Sequence, residues 1–313
     1  MRFRILGGIL CLVLLLGASH VKAQFSQLYT FGDSLSDTGN LASIQFNFPP
    51  PFFMNRVSNG PVAVETLAVL LGLEAHASLH LIGPAQGTNY AVAGATARGS
   101  EAIDLTAQVG AFLQNLGQAA PPDALYVLMI GGNDVRAARD AEDLAAQAIL
   151  TQATAAIGTN IETLATAGAL RFLVVNVADL GAIPETRRLA EETGMPSLVE
   201  IATLRTETFN QALADEVKRL RTAFGLKIAL VDLLTSGRAV ISNAIAYDLE
   251  NLTDACFLLI NNALSFHPDC ENGANFDAFA YFDGIHPTAK VHEFLGRILF
   301  SFAPLLPPAP GVE

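Results

Sequence analysis

Apolar residues along this chain fall into short continuous runs separated by longer stretches with one apolar face. The first run, Phe25 to Phe31, is apolar and aromatic with strand character, and it stops abruptly at Gly32-Asp33-Ser34. Three later runs, Leu125 to Ile130, Phe172 to Val177 and Ile228 to Val231, lack the alternation of a strand wetted on one side and predict strands buried on both faces. Helical spacing marks Val62 to Leu71, the Ala-rich stretch Asp140 to Ala167 and the amphipathic stretch Pro196 to Phe224. Strand and helix therefore alternate, which predicts an α/β fold: a three-layer α/β/α sandwich around a mainly parallel sheet. There are no repeats and no linker, so residues 24–313 are expected to form a single domain. The run Phe48-Pro49-Pro50-Pro51-Phe52-Phe53 can be neither central strand nor helix interior and predicts an irregular loop.

The amino terminus follows another logic. Arg2 and Arg4 precede an apolar run, Ile9 to Leu16, and Val21-Lys22-Ala23 supplies small residues for cleavage, the pattern of a signal peptide over 1–23. The run is short for a membrane span, and an uncleaved anchor is the alternative reading. A secreted or periplasmic product without a stable membrane anchor is expected. Loss of Arg2, Arg4 and Lys22 takes the net charge from −12 to −15, which excludes nucleic acid as an expected partner and disfavours docking on anionic lipid. Small neutral or cationic substrates fit that charge better. Cys11 leaves with the leader, so Cys256 and Cys270 remain as the expected disulfide, a short bridge that would stabilise by about 3 kcal/mol. No CxxC spacing exists to suggest a zinc site, and no metal or cofactor is expected.

In parallel sheets the chemistry gathers beyond the carboxyl ends of the strands. Two polar clusters stand there, Gly32-Asp33-Ser34 and Gly131-Gly132-Asn133-Asp134. A serine becomes a nucleophile only with a base beside it and a third group to orient that base. Ser34 is the candidate nucleophile. Gly32 would permit an unusual backbone angle, and Leu35-Ser36-Asp37 would begin a helix; alternatively the cluster is a polar turn capping that helix. Near the carboxyl terminus, Asp283-Gly284-Ile285-His286-Pro287 puts a carboxylate and an imidazole on one tight turn, where Asp283 could otherwise be a helix cap. His76, His80 and His292 read as structural, and His267 as a weak candidate in a polar loop beside Cys270. For the negative charge of an ester-cleavage transition state, Asn133 and Gly94, within Asn89-Tyr90-Ala91-Val92-Ala93-Gly94-Ala95-Thr96, are candidate donors.

Taken in this order, FGDSLSDTGN, NYAVAGATA, IGGND and DGIHPT resemble the four sequence blocks of the GDSL/SGNH hydrolases, across nearly all of residues 24–313. The resemblance implies a flavodoxin-like sheet, Ser34, Asp283 and His286 as catalytic residues, and an oxyanion hole from Ser34, Gly94 and Asn133, with no metal. The segment PPPFFMNRVSNGPVAVE, Pro49 to Glu65, is similar to a stretch of the secreted lipase/esterase branch, where phospholipase and hemolysin names also occur. Val57 and Ala63 stand where aromatic residues are common in that branch. Some relatives carry a carboxyl-terminal outer-membrane barrel, which the Pro-rich end after His292 leads one not to expect here. The expected activity is hydrolysis of a small-molecule or lipid ester through an acyl-Ser34 intermediate. Acyl transfer to another alcohol, a non-catalytic binding module, and a metal-dependent phosphoesterase using the acids near His267 are the alternatives. The loop Phe46 to Phe53 reads either as a wall or lid of an acyl pocket or as ordinary surface packing.

Overall fold

The computed structural model describes residues 24–260 and 263–307. The expected leader, with Cys11, lies outside them. Strand β1 (Leu28–Gly32) is followed by α1 (Asn40–Ile44), α2 (Ala63–Leu71) and α3 (Leu105–Asn115). Then come β2 (Leu125–Met129), α4 (Gly132–Arg139), α5 (Asp143–Thr166) and β3 (Arg171–Val175). Next are α6 (Pro184–Thr193), α7 (Ser197–Phe224), β4 (Lys227–Val231) and α8 (Leu233–Ser242). The short strands β5 (Asn251–Ala255), β6 (Phe257–Ile260), β7 (Ala263–Phe266) and β8 (Phe279–Tyr281) precede α9 (Ala289–Phe302).

The central sheet is parallel, in the order β1-β2-β3-β4, with Leu28 opposite Leu125, Tyr126 opposite Phe172 and Phe172 opposite Ile228. Alternate residues feed opposite faces. Tyr29, Tyr126 and Phe172 pack towards α3, α5 and α7, while Leu28, Val127 and Leu173 pack towards α2 and α9. Both faces are covered, which is why the strands read as unbroken apolar runs. The long helix expected over 140–167 begins only at Asp143, because α4 occupies the turn directly after β2. Among the described residues no helix is long and apolar enough to cross a membrane.

The first crossover sets the position of the site. After β1 the chain lays α2 on one face, returns along the outer edge of β1 through a parallel bridge between Thr30 and Asn89, then lays α3 on the other face. Connections thus diverge at the carboxyl end of β1, where a crevice opens. Beyond β4, β5 pairs with β8 and β6 pairs with β7 as a hairpin. Cys256 and Cys270, both fully buried, meet beside this hairpin with Cα atoms 5.4 Å apart, within the reach of a disulfide. Phe52 packs edge-on against Phe257 and Phe282.

Candidate active site

Gly32 is required for space rather than for an unusual backbone angle: a Cβ there would lie 2.3 Å from the carbonyl oxygen of Met129 on β2. The chain then turns once, Ser36 and Asp37 donating their N–H groups to the carbonyl of Asp33, and Leu35 N–H to the Asp33 carboxylate at 3.0 Å. The helix expected at Leu35 does not form. Asp37 instead collects the N–H groups of Gly39, Asn40 and Leu41 on its carboxylate, so α1 starts at Asn40. Ser34 is left at the tip of the turn, and its N–H has no acceptor among the described residues.

Across the crevice, Tyr281 and Pro287 form an antiparallel bridge, and Phe282 N–H donates to the carbonyl of His286 at 2.8 Å, closing a tight loop. The Asp283 carboxylate accepts from the backbone N–H groups of Ile285 and His286, both at 2.8 Å. Its two oxygens stand 2.9 and 2.8 Å from His286 Nδ1, and His286 Nε2 stands 2.8 Å from Ser34 Oγ. An ionised carboxylate only accepts, so Nδ1 carries the ring proton and Nε2 accepts from the serine hydroxyl. The stretch Ser58-Asn59-Gly60 clasps this loop: Ser58 Oγ donates to the carbonyl of Pro287, and Asn59 Oδ1 accepts from Ala289 N–H.

Burial alone would push Asp283 up, but the opposite charge and hydrogen bond of His286, with the two backbone N–H groups, outweigh it and hold the carboxyl below its ordinary range. For His286 burial pulls down, and the charge and hydrogen bond of Asp283 together with the charge of Asp33 win, raising the imidazole. Asp33 itself is pushed up to about 6, chiefly by burial, against the pull of its Leu35 hydrogen bond and of His286.

The other two expected donors arrive on separate segments. Gly94 sits at φ +88° on a turn anchored by Ala93 N–H to Asp37 and by Val92 N–H to the carbonyl of Gly32, and its own N–H has no acceptor among the described residues. Asn133 lies in the first turn of α4, where Nδ2 donates to the carbonyl of Ala95 at 2.8 Å and Oδ1 accepts from Arg136 at 3.4 Å. One Nδ2 hydrogen remains free to donate elsewhere. Ser34, His286 and Asn133 line a single cavity of about 180 Å³, and the Ala95 hydrogen bond ties Asn133 to the Gly94 turn.

Several residues that hold this arrangement carried no signal strong enough to single them out. Asn40 donates to the carbonyls of Asn89 and Ala91, Asn89 donates to that of Ser36, and buried Asp134 accepts from Ala97 N–H, so the sequence blocks are laced together by buried polar side chains. Arg136 forks onto Glu185, whose own N–H donates to the carbonyl of Gly284 inside the Asp283–His286 loop. The Asn and Asp repeated within FGDSLSDTGN and IGGND were the available hint.

Among the described residues the other histidines stand apart from the cavity. His292 is fully buried between α2 and α9, its Nδ1 accepting from Ala63 N–H, and burial lowers it to about 3. His80 meets Ser78 Oγ at 2.7 Å and Tyr90, and is lowered to about 4 by burial. His76 is exposed beside Glu74. His267 caps its own turn by accepting from Asp269 N–H, and among the described residues no group of three or more His, Cys, Asp or Glu is placed to hold a metal ion. No residue of the loop Phe46 to Phe53 lines the cavity; Phe52 supports Phe282, the neighbour of Asp283, from behind.

Comparison with known proteins places the chain in a family. The chain is 25% identical to "Inactive GDSL esterase/lipase-like protein 25" of Arabidopsis thaliana, over 93% of this chain and 75% of that one. It is 29% identical to "Lipase 1" of Photorhabdus luminescens, over 64% of this chain but 30% of that protein. It is 28% identical to a phosphatidylcholine-sterol acyltransferase of Aeromonas hydrophila, over 69% of this chain and 61% of that one. Residues 28–299 match the GDSL-like Lipase/Acylhydrolase family, and the chain belongs to it.

Proposed function

We propose that the chain is a serine hydrolase that cleaves carboxylic esters through an acyl-Ser34 intermediate. The observation that carries this reading is the unbroken relay from Asp283 to His286 to Ser34 Oγ, with 2.8 Å at both ends. In the first step Oγ attacks the ester carbonyl carbon while Nε2 of His286 takes the hydroxyl proton. The carbonyl oxygen becomes an oxyanion, and the N–H groups of Ser34 and Gly94 with the free Nδ2 hydrogen of Asn133 are the donors for it. The carbon–oxygen bond to the alcohol then breaks, and His286 passes its proton to the leaving oxygen. A water repeats the sequence on the acyl-enzyme and regenerates Ser34. Asp283 stays ionised throughout, holding the Nδ1 tautomer and stabilising the imidazolium.

Names containing "Inactive" among the relatives make a non-catalytic binding module the alternative to exclude. In favour of turnover here, all three relay side chains are present and in contact. Acyl transfer to an alcohol is the second reading, favoured by the similarity to the Aeromonas acyltransferase, and it uses the same acyl-enzyme. Turnover of p-nitrophenyl esters with chelator present, by the chain and by Ser34→Ala, tests the proposal. Loss of about 10³-fold or more is expected on removing the nucleophile. Full turnover in the variant would sink it, and an added alcohol that appears esterified in the products would select transfer. Export through cleavage after Ala23 and a Cys256–Cys270 disulfide belong to the same reading. Intact mass of the purified chain with and without reductant checks both.

A further inference from the structure

The cavity that opens at Ser34 and His286 continues beneath α8 to the side of α9. Its lining is mainly apolar and includes Leu233, Val240, Leu249, Val291 and Leu295. Gly237 of α8 belongs to this lining, and a Cβ added there would meet nothing within 4 Å. Its φ is not in the left-handed region, so no backbone conformation demands glycine, and glycine weakens a helix interior. As a residue of the cavity lining with no atom near a would-be Cβ, Gly237 leaves room that a larger side chain would take up.

The part of an ester that stays bound after the first step is the acyl group, whereas the side of the alcohol must open for water to reach His286. A mainly apolar cavity adjoining the nucleophile therefore suits the acyl chain. A cavity of roughly 150 Å³ accepts benzene, so about 180 Å³ holds a chain of roughly six to eight carbons. Resting on the ester-hydrolase reading, we infer that this cavity is the acyl pocket, that it selects medium-chain acyl esters, and that Gly237 sets its depth.

The test measures kcat/KM for p-nitrophenyl esters from acetate to palmitate with the full chain, Gly237→Leu and, as a control, Gly110→Leu. Gly110 is an exposed glycine of α3, with open space around it. Leucine suits both helices. The expected optimum lies at hexanoate to octanoate. Each excluded methylene is worth about fourfold, so Gly237→Leu should lower the octanoate-to-acetate ratio on the order of tenfold, and Gly110→Leu should leave the ratio unchanged. An optimum at palmitate, or a ratio indifferent to Gly237→Leu while acetate is still cleaved, overturns the pocket assignment and leaves ester hydrolysis standing. A preference for octyl acetate over ethyl octanoate moves the chain to the alcohol side and overturns the acyl assignment. No turnover of any ester, with no labelling of Ser34 by an alkyl fluorophosphonate, overturns both readings together.

Discussion

Asp33 is the residue at which position and stability pull in opposite directions. It is 3% exposed beside Ser34 and pushed up to about 6 by burial, while its charge helps raise His286. A carboxyl raised in the folded state keeps a proton that the unfolded chain has already lost. Its cost to stability is therefore absent below about 3.8, grows as pH rises through 6, and reaches about 3 kcal/mol above that, to order of magnitude. Asp33→Asn keeps an oxygen for Leu35 N–H and should stabilise the fold at pH 8 by up to that amount, with the gain vanishing towards pH 4. Urea unfolding at the two pH values decides it; an equal effect at both would show that burial of the charge is not the cause.

At the scale of elements, the site depends on how sharply helices start after strands. Between β2 and α4 the chain must turn at Gly131, where φ is +120° and a Cβ would lie 2.4 Å from the ring of Phe209 on α7. That ring is fully buried, so neither the backbone nor the neighbour can yield easily. Gly131→Ala should destabilise by about 2 to 3 kcal/mol and displace the first turn of α4, with Asn133 on it. Unfolding midpoints measure the first effect and kcat the second. A variant with both values unchanged would show that α4 tolerates a shifted start.

For the whole molecule, α2 and α9 together cover one face of the sheet, bringing a segment near the start of the chain against one near its end. His292 is buried at their junction and lowered to about 3, from an ordinary 6.5. A base held neutral in the fold gains no proton as the unfolded chain takes one up. Stability present above 6.5 is therefore lost as pH falls, by about 3 kcal/mol at pH 4. Asp33 acts in the opposite direction over part of the same interval, so the two groups are separated by testing each variant alone. In His292→Asn an amide oxygen can accept from Ala63 N–H without titrating, and the loss between pH 7 and pH 4 should shrink by about that amount. An unchanged acid limb would place the sensitivity elsewhere.

Ser34, Asp283 and His286 were legible because each lies in a short block of turn-forming residues at the end of an apolar run, and local chemistry names such residues without any knowledge of distance. The parallel sheet was legible for a similar reason, since strands buried on both faces must be apolar throughout. Helices α3, α4, α6, α8 and α9 were not singled out, and the helix expected after Ser34 was replaced by a turn, Asp37 capturing the N–H groups that would have continued it. The lacing of Asn40, Asn89 and Asp134, the Arg136–Glu185 clamp and the cavity under α8 could be read only from the fold. The order of residues determined which groups are chemically able to act and roughly where strands end. Which of them come within 2.8 Å, and how much room the substrate finds beside them, depends on contacts between residues as far apart in the chain as Ser34 and His286, and only tertiary packing decides those.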